Sequence, residues 1–258
     1  AAAASQKGLI TIPAFWNDVV ARGLCDGVAP YFHLVTACNV FAHTDDVHGF
    51  LNAVHRVMDP DGGVFVIEVV SGAQMLKDGL FDLLYFEHVS TWTTAPLERL
   101  LRACGLKLFR VDTISTHGGS LRAWIRLKDP AALHSVQRRE QASSLNVWER
   151  IEREVVTTGV QACAEFAARA AVVREDLTRY VRGARALGKK GVGYGAPAKA
   201  TVLMNYCEFT PLDIDYVVED SVLKRGKLIP GVHVPIVSPQ ALQEAPPDVI
   251  VGWPWNYF

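Results

Sequence analysis

No stretch of this 258-residue chain approaches the roughly 20 apolar residues that a membrane-crossing helix needs. No run of basic residues stands out either, and 26 basic against 27 acidic side chains leave a formal charge of −1. A grip on nucleic acid or on an anionic membrane through bulk charge is therefore not expected. The five cysteines, Cys25, Cys38, Cys104, Cys163 and Cys207, are scattered and form no CxxC pair. That spacing argues against a disulfide framework and against a metal site in these residues, and it makes a reducing cytoplasm the default compartment. The opening Ala1–Gly8 lacks the basic-then-apolar order of a secretion signal. Fixed-period repeats are also missing, and low complexity is confined to the leading alanines.

What is present suits a folded α/β protein. Half the residues are hydrophobic and 21% are charged, enough apolar material for a sizeable core. At 28.3 kDa the chain fits two modest domains or one large α/β unit. Phe32–Ala37 reads as a buried strand. From Asp46 to Met58 the apolar positions Val47, Phe50, Leu51, Val54 and Val57 repeat at helical spacing. Asp59–Gly63 is a Pro/Gly turn, and Val64–Val70 is a strand apolar on both faces. A helix over Ala95–Cys104 ends at Gly105. The runs Leu106–Ser115 and Leu121–Leu127, linked by Thr116–Ser120, predict an antiparallel hairpin. From about Pro130 to Leu187 the series Val156, Val160, Cys163, Ala167, Ala170, Val173, Leu177, Val181 and Ala184 predicts a long amphipathic connector. A strand–loop–helix unit at Lys189–Lys199, a strand at Ile214–Val218 and another at Asp248–Trp253 predict a small Rossmann-like domain.

Four segments concentrate reactive side chains near strand ends, where open α/β sheets bind ligands. In Cys38–His43, Asn39 and His43 could touch a ligand or simply cap a helix. Tyr85-Phe86-Glu87-His88 packs three proton-transferring groups into four residues, either a reactive cluster or a surface loop with incidental polar residues; for a metal site it lacks HExxH spacing and an obvious third ligand. An imidazole titrates near neutrality and suits a general base, a carboxylate can orient or stabilise it, and a phenol can donate to a developing oxyanion. The paired glycines of His117-Gly118-Gly119-Ser120-Leu121-Arg122 either let backbone N–H groups approach a ligand or only form a turn. Gly193-Tyr194-Gly195-Ala196-Pro197-Ala198-Lys199 matches GxGxxA between a strand and a helix, a setting in which backbone N–H groups bind phosphate. Read mechanically it predicts a dinucleotide loop with Glu219 or Asp220 on a ribose, although those residues come late for the fingerprint and Pro197 is unusual within it.

Together, Asn39–His43, Tyr85–His88, His117–Arg122, Tyr194–Lys199 and Glu219-Asp220-Ser221-Val222-Leu223-Lys224 stand in the order seen in a known family. Over essentially the whole chain the sequence resembles the S-adenosylmethionine-dependent nucleotide-sugar C-methyltransferases of branched-chain deoxysugar (antibiotic sugar) biosynthesis. The resemblance implies an α/β fold: a partial class I methyltransferase (Rossmann-like) sheet over residues 1–128, a helical connector over 129–187, and an incomplete Rossmann-like C-terminal domain over 188–258. It places a zinc-binding domain, the first methyltransferase strand with its glycine loop, and the extreme C-terminus outside these residues, so that the chain reads as a fragment. Two positions depart from the pattern: Cys38 stands where an Asn is usual, and Thr91 where an aromatic is usual, with Trp92 adjacent.

The resemblance further implies S-adenosylmethionine as cofactor and a nucleotide-linked keto-deoxysugar, dTDP-linked, as substrate. It makes His88 the base that removes a proton beside the ketone, with Glu87, Tyr85 and His43 orienting it, shuttling protons or stabilising the enolate. Asn39 falls at the cofactor. His117, Gly118, Gly119, Ser120 and Arg122, with Lys199, Tyr194 and Ser221, hold the sugar and its diphosphate. Two other readings stay open: an NAD-dependent oxidoreductase using the Gly193–Ala198 loop, and a non-catalytic nucleotide-sugar-binding fragment. No nucleic-acid or membrane partner is expected; sugar identity, stereochemistry and oligomeric state are not fixed by the sequence.

Overall fold

A computed structural model describes residues 2–128, 146–147, 149–154 and 158–257. By contacts the chain divides into two compact units, Ala1–Ser71 with Val89–Val156, and Gly72–His88 with Thr157–Phe258. This cuts the chain differently from the sequence boundaries at 128 and 187. Residues 72–88, read with the first domain, group with the C-terminal one, as does the described helix of the connector. Connector residues 129–145, 148 and 155–157 lie outside the described residues.

The first unit is built on a four-stranded sheet in the order β1-β2-β4-β3. β1 (Leu34–Cys38) and β2 (Val64–Val70) are parallel, while β3 (Leu106–Ile114) and β4 (Ser120–Leu127) form the expected hairpin, with β4 antiparallel to β2. Two short helices precede the sheet, α1 (Ala2–Gln6) and α2 (Asp18–Gly27). The crossover from β1 to β2 is α3 (Val47–Val57), started by Asp46, whose carboxylate accepts from the Gly49 N–H. Its predicted apolar face is the buried one, with Phe50, Leu51 and Val54 against the sheet core of Phe65, Ile67, Leu106, Leu121 and Ile125, and Val57 packed with Ala21 and Ala53. Each such buried side chain contributes about 1.5–3 kcal/mol.

The helices of the second unit are α4 (Gly72–Asp78), the long α6 (Val160–Ala186), α7 (Ala198–Tyr206) and α8 (Gln240–Glu244); α5 (Thr94–Ala103) belongs to the first unit. Its sheet is entirely parallel in the order β7-β6-β5-β8, from β5 (Gly191–Tyr194), β6 (Val217–Val218), β7 (Ile236–Val237) and β8 (Val249–Gly252). Strands β6 and β7 lie to one side of β5 and β8 to the other, which creates a switch point beside β5, the place where doubly wound sheets open a ligand crevice. The predicted strand at 214–218 shortens to two residues. Asp213 and Ile214 both donate their N–H groups to the Thr210 carbonyl, so a turn takes that backbone before it can join the ladder. Along α6 the apolar series is buried only at Ala170 and Val181, with Phe166 and Leu177 packed beside them. Among the described residues no helix is long and apolar enough to cross a membrane.

Candidate active site

A tight turn brings Tyr85 and His88 together. The His88 N–H donates to the Tyr85 carbonyl at 2.9 Å, closing a four-residue turn that leaves Phe86 and Glu87 exposed at its tip and folds the two rings to a centroid distance of 4.0 Å. His88 Nδ1 lies 2.7 Å from the Leu83 carbonyl. A carbonyl can only accept, so Nδ1 carries the hydrogen and Nε2 presents its lone pair. That lone pair accepts from the Tyr85 hydroxyl at 2.8 Å. Burial pushes the Tyr85 phenol above its ordinary 10.0, and the negative charges of Glu87 and Asp82 push the same way, so the group stays a neutral donor. Leu83 is itself fixed in a 3₁₀ turn, Phe81–Leu83, whose three side chains are all buried.

In the first unit, the carboxyl ends of β1 and β2 carry a polar row. Register places Cys38 opposite Glu68, Glu68 opposite Arg122, and Arg122 opposite Asp112. Glu68 is 7% exposed and accepts from Arg122 Nη2 at 2.8 Å and from Thr116 Oγ1 at 3.3 Å. The Glu68 hydrogen bond holds the Arg122 guanidinium firmly charged. Asn39, exposed at the end of β1, adopts a φ of 54°, a left-handed conformation that Asn tolerates better than most residues. His43 ends the 3₁₀ turn Phe41–His43 with its side chain exposed. Across the hairpin, His117, Gly118 and Gly119 take φ values of 55°, 84° and 128° in succession, so the glycines answer a backbone need. Ser120 is fully buried and its hydroxyl donates to the Thr116 carbonyl, which leaves it facing the fold rather than an open surface.

In the second unit, the GxGxxA glycines are explained by packing. A Cβ at Gly193 would stand 2.3 Å from the indole nitrogen of the buried Trp253, and one at Gly195, whose φ is +80°, would stand 2.8 Å from Pro254. The loop is also closed by its own chain, because the Glu219 carboxylate accepts from the N–H groups of Ala196 and Ser221, both at 2.9 Å. Burial alone would raise the Glu219 carboxyl, but those two donors and Lys224 outweigh it and hold it below its ordinary range. A carboxylate thus sits on the N–H that a dinucleotide phosphate would need. The NAD-dependent reading is not favoured. A cavity of about 230 Å³ opens here between Tyr194–Pro197, Val218–Asp220, Lys224 and Pro254, with the Tyr194 hydroxyl 3.4 Å from Asp220.

Lys199, expected as a phosphate clamp, is 7% exposed; its ammonium donates to Asn256 Oδ1 at 2.8 Å and lies 4.2 Å from the Trp255 ring centroid. Burial lowers its pKa, against the pull of Asp82. Among the described residues no group of three His, Cys, Asp or Glu side chains could hold a metal ion.

A family model described as C-methyltransferase C-terminal domain matches residues 115–258, more than half of the chain, and one described as methyltransferase domain matches residues 3–111. The chain belongs to the C-methyltransferase family. The C-methyltransferase NovU of Streptomyces niveus is 34% identical over the whole of this chain, which spans 59% of that relative's length. Among solved structures, the 1,6-didemethyltoxoflavin-N1-methyltransferase of Burkholderia thailandensis is 18% identical over 38% of this chain and 44% of its own, with a TM-score of 0.30. The magnesium protoporphyrin IX methyltransferase of Synechocystis is 12% identical over 38% of this chain and 46% of its own, also at 0.30.

Sequence reasoning missed Glu68, Asp82 and Trp255. Glu68 did carry a signal, as the lone charge in an otherwise apolar strand. Asp82 and Trp255 gave none, since their bond joins positions 173 residues apart.

Proposed function

We propose that this chain carries the carbon-deprotonating machinery of an S-adenosylmethionine-dependent C-methyltransferase whose acceptor is a nucleotide-linked, dTDP-bound keto-deoxysugar. The observation that supports it most is the Tyr85–His88 pair: an imidazole with its tautomer fixed by Leu83 and a phenol held neutral beside its lone pair.

In this reading the sugar C–H beside the ketone breaks, its proton passes to His88 Nε2, and the electron pair moves into an enolate. The Tyr85 hydroxyl turns from Nε2 to the enolate oxygen, freeing the base and stabilising the charge it creates. The Leu83 carbonyl keeps accepting from Nδ1–H as the ring becomes cationic, and the exposed Glu87 carboxylate favours that cation. When bound, adenosylmethionine supplies an electrophilic methyl group on a cationic sulfur. The residues at the end of β1 fit one flank of such a nucleoside: the Asn39 carboxamide offers a donor and an acceptor, and exposed Val40 offers apolar cover. Arg122, His117 and the Gly118–Gly119 backbone are the first unit's candidates for the sugar and its diphosphate; in the second unit the candidates are Tyr194, which lines the cavity, and Ser221, whose N–H donates to Glu219.

His88→Asn in the full-length protein tests the reading. The expected result is loss of methyl transfer with adenosylmethionine binding, measured by calorimetry, nearly intact. Full turnover would remove His88 as the base. Sugar binding with no turnover in the unaltered full-length protein would instead favour a binding module.

A further inference from the structure

We propose that Trp255 is a positioning residue for His88, acting by anchoring through Asp82 the turn whose Leu83 carbonyl fixes the imidazole tautomer. The proposal rests on the reading of His88 as the base, and every contact that carries it lies within the second unit.

The chain of contacts is short. Trp255 Nε1 donates to Asp82 Oδ2 at 2.6 Å, and Asp82 is 3% exposed. Asp82 is the middle residue of the Phe81–Leu83 turn, and the next residue supplies the carbonyl that accepts from His88 Nδ1. Phe81 anchors the same turn from its other end, edge-on to Tyr206 with centroids 5.1 Å apart. Trp255 is in turn placed by what precedes it, because Trp253 is buried against Gly193 and Pro254 packs on Gly195. The Lys199 ammonium over its ring, tied to Asn256, holds the indole from one face. The glycine loop that resembles a nucleotide motif thus serves as the seat of a strap that reaches the base. A buried carboxylate that loses its donor must turn toward another partner or toward water, and Asp82 sits between the Phe81 anchor and Leu83, so its movement is passed to the Leu83 carbonyl. The Leu83 carbonyl would then drift from Nδ1, and the hydrogen could move to Nε2, the atom whose lone pair must receive the sugar's proton.

Trp255→Phe in the full-length protein keeps an aromatic ring beside Lys199 but removes the N–H together with part of the indole's bulk, which is why Asp82 variants accompany it. Nitrogen-15 NMR of the histidine side chains is expected to show His88 leave the single Nδ1–H tautomer for a mixture. Turnover should fall roughly ten- to a hundredfold, with the KM for the sugar within about twofold of the parent. Asp82→Asn, which keeps an oxygen for the indole to donate to, is expected to retain the tautomer and most of the rate. Asp82→Ala removes the acceptor from the other side and is expected to show the same tautomer mixture, which keeps the proposal testable if Trp255→Phe does not fold. An unchanged His88 spectrum in Trp255→Phe, or in Asp82→Ala, overturns the proposal whatever happens to the rate. A tautomer shift with turnover unchanged supports the anchoring and overturns the role of His88 as the base.

Discussion

The Tyr85 hydroxyl stands 2.8 Å from Nε2 of His88 and is the donor of that bond, because the opposite nitrogen already donates to Leu83. Two residues three apart in sequence meet in this way only when the chain turns between them, and the turn is closed by the His88 N–H on the Tyr85 carbonyl. On the proposed reading of His88 as the base, the neutral phenol shields that lone pair from solvent protons until a developing enolate draws it away.

Replacing Tyr85 with Phe removes that donor and keeps the ring. Turnover in the full-length protein should drop roughly a hundred- to a thousandfold, the usual cost of one oxyanion donor, with little change in sugar KM. The pH profile adds a sign. Burial, with Glu87 and Asp82, raises the phenol above 10.0, so any alkaline fall in rate due to its ionisation lies above pH 10 and is absent from Tyr85→Phe. An alkaline limb that survives the substitution would assign it to another group.

Gly193→Ala tests whether the glycine motif is structural. The new methyl would meet the Trp253 indole nitrogen at 2.3 Å and Val217 Cγ2 at 2.9 Å, and a buried tryptophan cannot yield by so much without repacking. Overpacking of this kind costs about 1–3 kcal/mol, which lowers Tm by roughly 3–10 °C in a chain of this size. NADH titration should show no saturable binding in either protein. An unchanged Tm would mean the Gly193 Cα does not carry the indole.

The acid stability of the second unit should depend on Asp213. Burial alone would raise its carboxyl, but Arg182 at 3.0 Å and the N–H and hydroxyl of Thr210 at 2.9 and 3.1 Å together hold it below its ordinary 3.8. A carboxyl depressed in the fold adds stability that is fully present above its unfolded pKa and is lost as pH falls through its folded one. The Tm of the parent should therefore fall steeply on acidification below about pH 4, and Asp213→Asn should fall less steeply from a lower starting point. Parallel curves would separate Asp213 from the acid transition.

Much of this was legible because the signals are local. The helical spacing of Val47–Val57 with Asp46 before it, the apolar Val64–Val70 and the glycine link before β4 each specify an element through residues next to one another. The reactive cluster at Tyr85–His88 was visible for the same reason. The rest depends on burial and on distant partners. GxGxxA reads the same whether its first glycine faces a phosphate or the Trp253 indole, and only the fold distinguishes the two. Lys199 reads as a surface cation at the start of a helix until Trp255 and Asn256, more than fifty residues on, are seen to enclose it. Glu68 stands out as the lone charge of its strand, but its meaning comes only from Arg122 across the ladder.

His117 allows the sugar-binding and turn-forming readings of its hairpin to be separated. Its φ of 55° is a left-handed conformation that costs an L-residue about 1 kcal/mol and costs glycine almost nothing. His117→Gly should therefore raise Tm slightly, while His117→Ala, which keeps the strain and loses the imidazole, should not. If the imidazole contacts the substrate, both variants raise the KM for the nucleotide-sugar by a similar factor, because both lack the ring. If the residue only forms the turn, KM stays at the parent value in both and only Tm moves. A KM that rises in His117→Ala but not in His117→Gly would tie the effect to backbone geometry and remove His117 from the substrate contacts.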